Sequence, residues 1–136
     1  MNTERKIDID KLINYWIKSS DSDYKTMLNL FESKNYNWAL FLGHIVVEKL
    51  LKGYYLKKNK THPPLTHNLL RLAELADIEL TEERKLFFAT LTTFNINARY
   101  EDYKMEFNKI CTKKFTTDWI EKIKTNRIWV KKMLLK

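Results

Sequence analysis

Trp38-Ala39-Leu40-Phe41-Leu42-Gly43-His44-Ile45-Val46-Val47-Glu48-Lys49-Leu50-Leu51-Lys52-Gly53 is the stretch on which the fold turns. Extended to about Tyr36 and Lys58, it sets Phe41, Ile45, Leu50, Leu51, Tyr54 and Tyr55 at helical spacing, and its middle is apolar on more than one face. A helix of that kind is central in a bundle or also meets a second subunit. The run Lys57, Lys58, Asn59, Lys60 puts positive charge where the helix dipole is negative, and Pro63 and Pro64 then break the chain.

Helical patterns continue on both sides. Upstream, about Asp10 to Ser33 carries Leu12, Ile13, Trp16, Ile17, Tyr24, Met27, Leu28 and Phe31, with Asp8 or Asp10 as cap and a weak centre at Ser19 to Ser22. Downstream, His67 to Ala76 reads as a short leucine-rich helix ended by Asp77. Thr81 caps a further helix running to about Asn97, with Leu86, Phe87, Phe88 and Leu91 on its apolar face. Ala98 to Cys111 reads as a loop, a helix start, or both in succession. The last helix, about Thr116 to Leu135, opens on Thr116, Thr117 or Asp118, buries Trp119, Ile120, Ile123, Val130, Met133 and Leu134, and turns its cations outward.

Composition agrees. Two Gly and two Pro in 136 residues leave too little punctuation for an all-β domain, which needs a turn about every 8 to 12 residues. The expectation is one all-α domain over residues 1–136, an antiparallel four- or five-helix bundle. Met1 to Asp10 lacks the apolar core of a signal peptide, and Trp38 to Leu51 falls short of the roughly 20 apolar residues of a membrane span. A lone Cys111 closes no intrachain disulfide and completes no thiolate zinc set, so no metal, no cofactor and a reducing, cytoplasmic setting are expected. The net charge is +8, and residues 104–136 hold ten Lys or Arg against three acids. Such a field attracts nucleic acid or an acidic protein through salt-sensitive contacts, although Lys-rich helices also serve solubility alone.

Trp38 to Gly53, then Thr66-His67-Asn68-Leu69, then Asn97-Ala98-Arg99-Tyr100 together resemble the HEPN family in order and spacing. The resemblance implies a helical bundle that forms homodimers and is often paired with a nucleotidyltransferase as a toxin–antitoxin system. It also implies binding of nucleotide or RNA. Many members are metal-independent ribonucleases, with an Arg followed four to six residues later by His at the dimer cleft.

That chemistry needs a base for the ribose 2′-hydroxyl and a cation for the phosphate. Arg99 suits the second role. Position 103 is Tyr, and no His follows His67, so the usual catalytic pair is broken. Tyr103 is the remaining catalytic candidate beside Arg99; a tyrosine hydroxyl ordinarily titrates at about 10 and is a weak base unless a cation such as Arg99 or Lys104 favours the phenolate. In some family pairs the nucleotidyltransferase modifies a Tyr near this Arg, a role open to Tyr100 or Tyr103. His44, Glu48, Lys52, Arg99 and Tyr100 are the candidate ligand-binding residues.

Each has a plainer reading. His44 reads as a satisfied buried histidine, His67 as a brace for its turn, and Glu48 with Lys52 as a surface i,i+4 pair. Arg99 reads as a helix-terminal cation paired with Glu101, Asp102 or another acid, and Tyr100 and Tyr103 as packed aromatics. The functional expectations are therefore a nucleotide- or RNA-binding homodimer without the usual catalytic His, an active ribonuclease toxin using Arg99 and Tyr103, or a non-enzymatic interaction partner.

Overall fold

The computed structural model describes residues 8–136; the reading of Met1 to Asp10 as no signal peptide falls largely outside them. Six helices follow one another: α1 Ile9–Glu32, α2 Tyr36–Asn59, α3 Leu69–Leu75, α4 Glu82–Arg99, α5 Glu101–Ile110 and α6 Lys113–Leu135. Four long helices make the bundle, and α3 and α5 are short connectors, so the expected all-α architecture holds.

Asp8 caps α1, its carboxylate accepting from the Lys11 N–H at 3.1 Å. The serine-rich centre of α1 does not interrupt it: Ser20 is buried and its hydroxyl donates to the Val46 carbonyl at 2.8 Å, spending the group that lowers helix propensity on a neighbouring helix. At Lys34, Lys60 and Asp77 non-glycine residues take the left-handed conformation that stops α1, α2 and α3 (φ 65°, 57° and 57°). The stretch read as a loop, a helix start or both in succession is mostly α5, which follows α4 after a single extended residue, Tyr100. The last helix starts earlier than expected, at Lys113 under a Thr112 cap, and Thr116 is buried in its first turns rather than capping it.

Helix α2 is the hub, packed against all five others. Twelve of its residues are buried, which is why its sequence is apolar on more than one face. Both glycines of the chain lie on it. A methyl group on Gly43 would collide with Ile123 of α6, and one on Gly53 would sit 3.2 Å from Leu134 of α6 and 3.4 Å from Trp16 of α1. These pairings fix the directions: α1 runs antiparallel to α2, whereas α6 runs parallel to it. The long helices α1, α2, α4 and α6 alternate in direction along the chain, as expected of an antiparallel bundle, and α6 starts at the same end as α2. Helix α4 runs against α2 and α6, with Phe94 edge-on to Trp119 at 4.8 Å and Phe87 stacked on it at 5.6 Å.

Candidate functional site: a polar chain through the bundle

At spacing i, i+4, i+8, one stripe of α2 presents His44, Glu48 and Lys52. The loop before α3 brings His67 over this stripe, and the last turns of α4 bring Asn95 and Arg99. Together they form a continuous hydrogen-bonded series that runs from the buried His44, Glu48 and Asn95 to the exposed His67 ring and Arg99.

His44 is fully buried. Its Nε2 lies 2.7 Å from the His67 carbonyl, which only accepts, so Nε2 carries the proton. Its Nδ1 then accepts from the Asn95 amide nitrogen at 3.2 Å. With the nitrogen of Asn95 committed, its Oδ1 faces α4's own Arg99, which donates Nη2 to it and Nε to the Asn95 carbonyl at 3.0 Å. Burial pushes the proton affinity of His44 below the ordinary imidazole range, against the opposing pull of the His67 carbonyl and the Glu48 charge. The ring is neutral, and its 3.8 Å approach to Glu48 is not an ion pair.

On the other side, Glu48 is only 5% exposed. Lys52 Nζ donates to its Oε2 at 3.0 Å, and His67 Nδ1 donates to its Oε1 at 2.8 Å. The Glu48–Lys52 pair is therefore an interior anchor and not the surface pair its spacing suggested. His67 is fixed by its flanks: the Asn68 N–H donates to Thr66 Oγ1, Asn68 caps α3, and the Leu69 N–H donates to Thr92 Oγ1 on α4. Its own ring is 64% exposed.

The sequence candidates thus divide. His44, Glu48, Lys52 and Arg99 belong to one connected chain. Arg99 pairs with Asn95 and not with Glu101 or Asp102, so the acid partner expected for it is replaced by an amide. Tyr100 lies beside Arg99, the guanidinium 5.4 Å from its ring, while the Phe41 ring lies 5.9 Å away on the other element. Tyr100 and Tyr103 are about half exposed, at 54% and 53%, and are not the packed aromatics expected. Lys104 covers Trp38 at 5.1 Å. Asn95 went unread, yet it carries a signal: it is an amide at a core position, beside Phe94 and one turn after Leu91.

Other chemistry is thin. Burial pushes the Cys111 thiol up to about 12, which removes it as a nucleophile. Among the described residues no cluster of His, Cys, Asp or Glu could hold a metal, and no helix is long and apolar enough to cross a membrane. A groove of about 350 Å³ lies between α4 and α6, over Phe87 and Trp119, and shares no residue with the polar chain.

The family model for the HEPN domain matches residues 13–133 of the chain. The chain belongs to the HEPN domain family. No curated protein and no solved structure matches it. Within this HEPN chain the Glu48, Thr66-His67-Asn68-Leu69 and Arg99 motifs, remote in sequence, are one structural unit.

Proposed function

We propose that this HEPN protein binds the phosphate of a nucleotide or of RNA at Arg99 and does so as a homodimer. The observation that carries this reading is the posture of Arg99: two of its five donors are spent on Asn95, the residue is exposed, and three donors remain for a ligand. Asn95 is held by His44, so the cation is positioned in advance of binding. The surplus charge of α6 adds sequence-independent attraction.

Support for two subunits comes from the outer face of α4. Leu86, Ala89, Thr93 and Ile96 are all exposed, with no charged residue among them, and they recur at alternating steps of three and four. That is the spacing of a helix-packing seam.

Fluorescence anisotropy with a labelled single-stranded RNA and with AMP tests the phosphate site. Arg99→Ala is expected to weaken binding about 10- to 100-fold, the range for a charge-assisted contact. Equal affinity and equal salt dependence for variant and wild type would remove Arg99 from the reading. Sedimentation of Ile96→Glu tests the dimer, with a monomer expected.

A second reading, in which a nucleotidyltransferase modifies Tyr100 or Tyr103 in a toxin–antitoxin pair, draws on the exposure of both rings. Co-expression with a neighbouring nucleotidyltransferase and intact-mass measurement of the double Phe variant test it.

A further inference from the structure

The groove between α4 and α6 holds a fixed cation that no acid among the described residues neutralises. We propose that this groove binds a small aromatic monocarboxylate, with the ring on its apolar floor and the carboxylate on Arg84. The floor is Phe87 and Trp119, stacked at 5.6 Å with 20° between their planes, and Leu86 stands at its edge, 69% exposed. Arg84 lines the same groove and is held from two sides. Its guanidinium lies over the Trp129 ring at 3.7 Å, and its Nε donates to Asn126 Oδ1 at 3.2 Å. Asn126 is itself buried, and its Nδ2 donates to the Lys122 carbonyl at 2.9 Å, so the amide oxygen is fixed toward Arg84. Among the described residues no acceptor takes up the Arg84 Nη groups. A planar guanidinium, oriented in advance with its Nη donors unspent, matches the two oxygens of a carboxylate.

Size and charge select the ligand. About 350 Å³ of room lies within the range of small-molecule sites, and the combination of an apolar floor with a few placed polar groups is what such sites share. Lys122, whose Nζ lies 4.7 Å over the Trp119 ring, brings a second positive charge to the lining, and Glu83 removes one. Two cations against one acid suit a ligand with a single negative charge, whereas a phosphate dianion would face Glu83 without full compensation. The stacked rings favour an aromatic body, which meets them face-on or edge-on. No residue of this groove belongs to the polar chain that ends at Arg99, so the site is independent of the phosphate reading.

The test is titration calorimetry and saturation-transfer NMR on the full chain, with phenylacetate and indole-3-acetate as probes and their uncharged amides as controls. Each is run on wild type and on Ile96→Glu, so that a second subunit lying on Leu86 does not decide the result. Both acids are expected to bind, and each amide to bind about 10- to 100-fold more weakly than its acid. Arg84→Gln is expected to lose the same factor, and Arg84→Lys, which keeps the charge without the fork, to fall between. Thr90→Trp fills the groove while leaving Arg84 in place, and is expected to abolish binding with the denaturation midpoint close to that of wild type. Arg99→Ala is expected to bind both acids as wild type does. Absence of binding by either acid at about 10 mM overturns the proposal. Equal affinity for acid and amide, or for wild type and Arg84→Gln, overturns it as well, and undiminished binding by Thr90→Trp does so by placing the ligand elsewhere.

Discussion

Two basic regions of this protein, the Arg99 corner and helix α6, differ in how their charge is held. Arg99 is one cation on a two-point anchor, backed by Asn95 and His44 in the interior. Helix α6 has many cations on loose supports. Its pairs Lys114–Asp118 and Lys124–Glu121 are exposed and contribute little to stability. Two of its cations do not face outward as expected: Arg127 and Lys131 both donate to Asp21 of α1, at 2.9 and 2.8 Å, and Arg127 also lies over Tyr24 at 4.0 Å. Part of what the sequence offers as an electrostatic surface is a clasp between the first and last helices. Positioned charge confers specificity, whereas counted charge confers range.

The largest expected effect that separates the two regions is on stability. His44→Leu leaves the His67 carbonyl and the Asn95 amide without partners in the interior, and is expected to cost about 2–4 kcal/mol in chemical denaturation. An unchanged midpoint would mean that the polar chain is decoration and not support. The pH dependence of wild-type stability sharpens the point. Unfolded His44 takes up its proton at the ordinary value of 6.5, while burial holds the native ring below that value. Between the two values the unfolded state binds more protons, so stability is full above about pH 6.5 and falls as the pH drops beneath it, by at most about 1.4 kcal/mol per unit. Denaturation midpoints from pH 7 to pH 5 read this slope, and His44→Leu is expected to flatten it.

Smaller effects belong to α6. Burial alone would raise the Asp21 carboxyl, but the hydrogen bonds and charges of Lys131 and Arg127 outweigh it and hold the carboxyl below its usual 3.8. The contribution of the clasp is therefore present above about pH 4 and lost as the pH falls through the native value. Discounted for the exposure of the carboxylate, Asp21→Asn is expected to cost no more than about 1 kcal/mol at neutral pH. A larger loss would make the clasp a main support of the bundle. Smallest of all, Lys132→Ala is expected to leave stability within about 0.5 kcal/mol and to reduce the salt slope of RNA binding by about 0.7 if that lysine meets a phosphate. An effect as large as that of Arg99→Ala would erase the distinction between the two regions.

The helices were legible because their apolar residues recur at 3.6-residue intervals and their caps are local. The hub role of α2 was legible too, since a helix buried all round must be apolar all round. The end of α4 was harder to read, because Tyr100 admits either a loop or the sharp turn into α5. The start of α6 was misread because Thr112, Thr116 and Thr117 are equally good caps in isolation; burial of Thr116 decides among them.

Within the candidate site, the sequence determined which residue types were available: His44, Glu48 and Lys52 share a face because an α-helix returns every four residues, and Arg99 is a cation at any ordinary pH. It also determined that no His follows Arg99. Only the tertiary structure decided that His67, 32 positions before Arg99, meets Glu48, that Asn95 joins His44 to Arg99, and that Arg127 and Lys131 are tied to Asp21. Periodicity and capping act along the chain, over a turn or two. Hydrogen bonds between α2, α4 and the loop before α3 depend on how three segments pack around α2, and that geometry comes from the whole core at once.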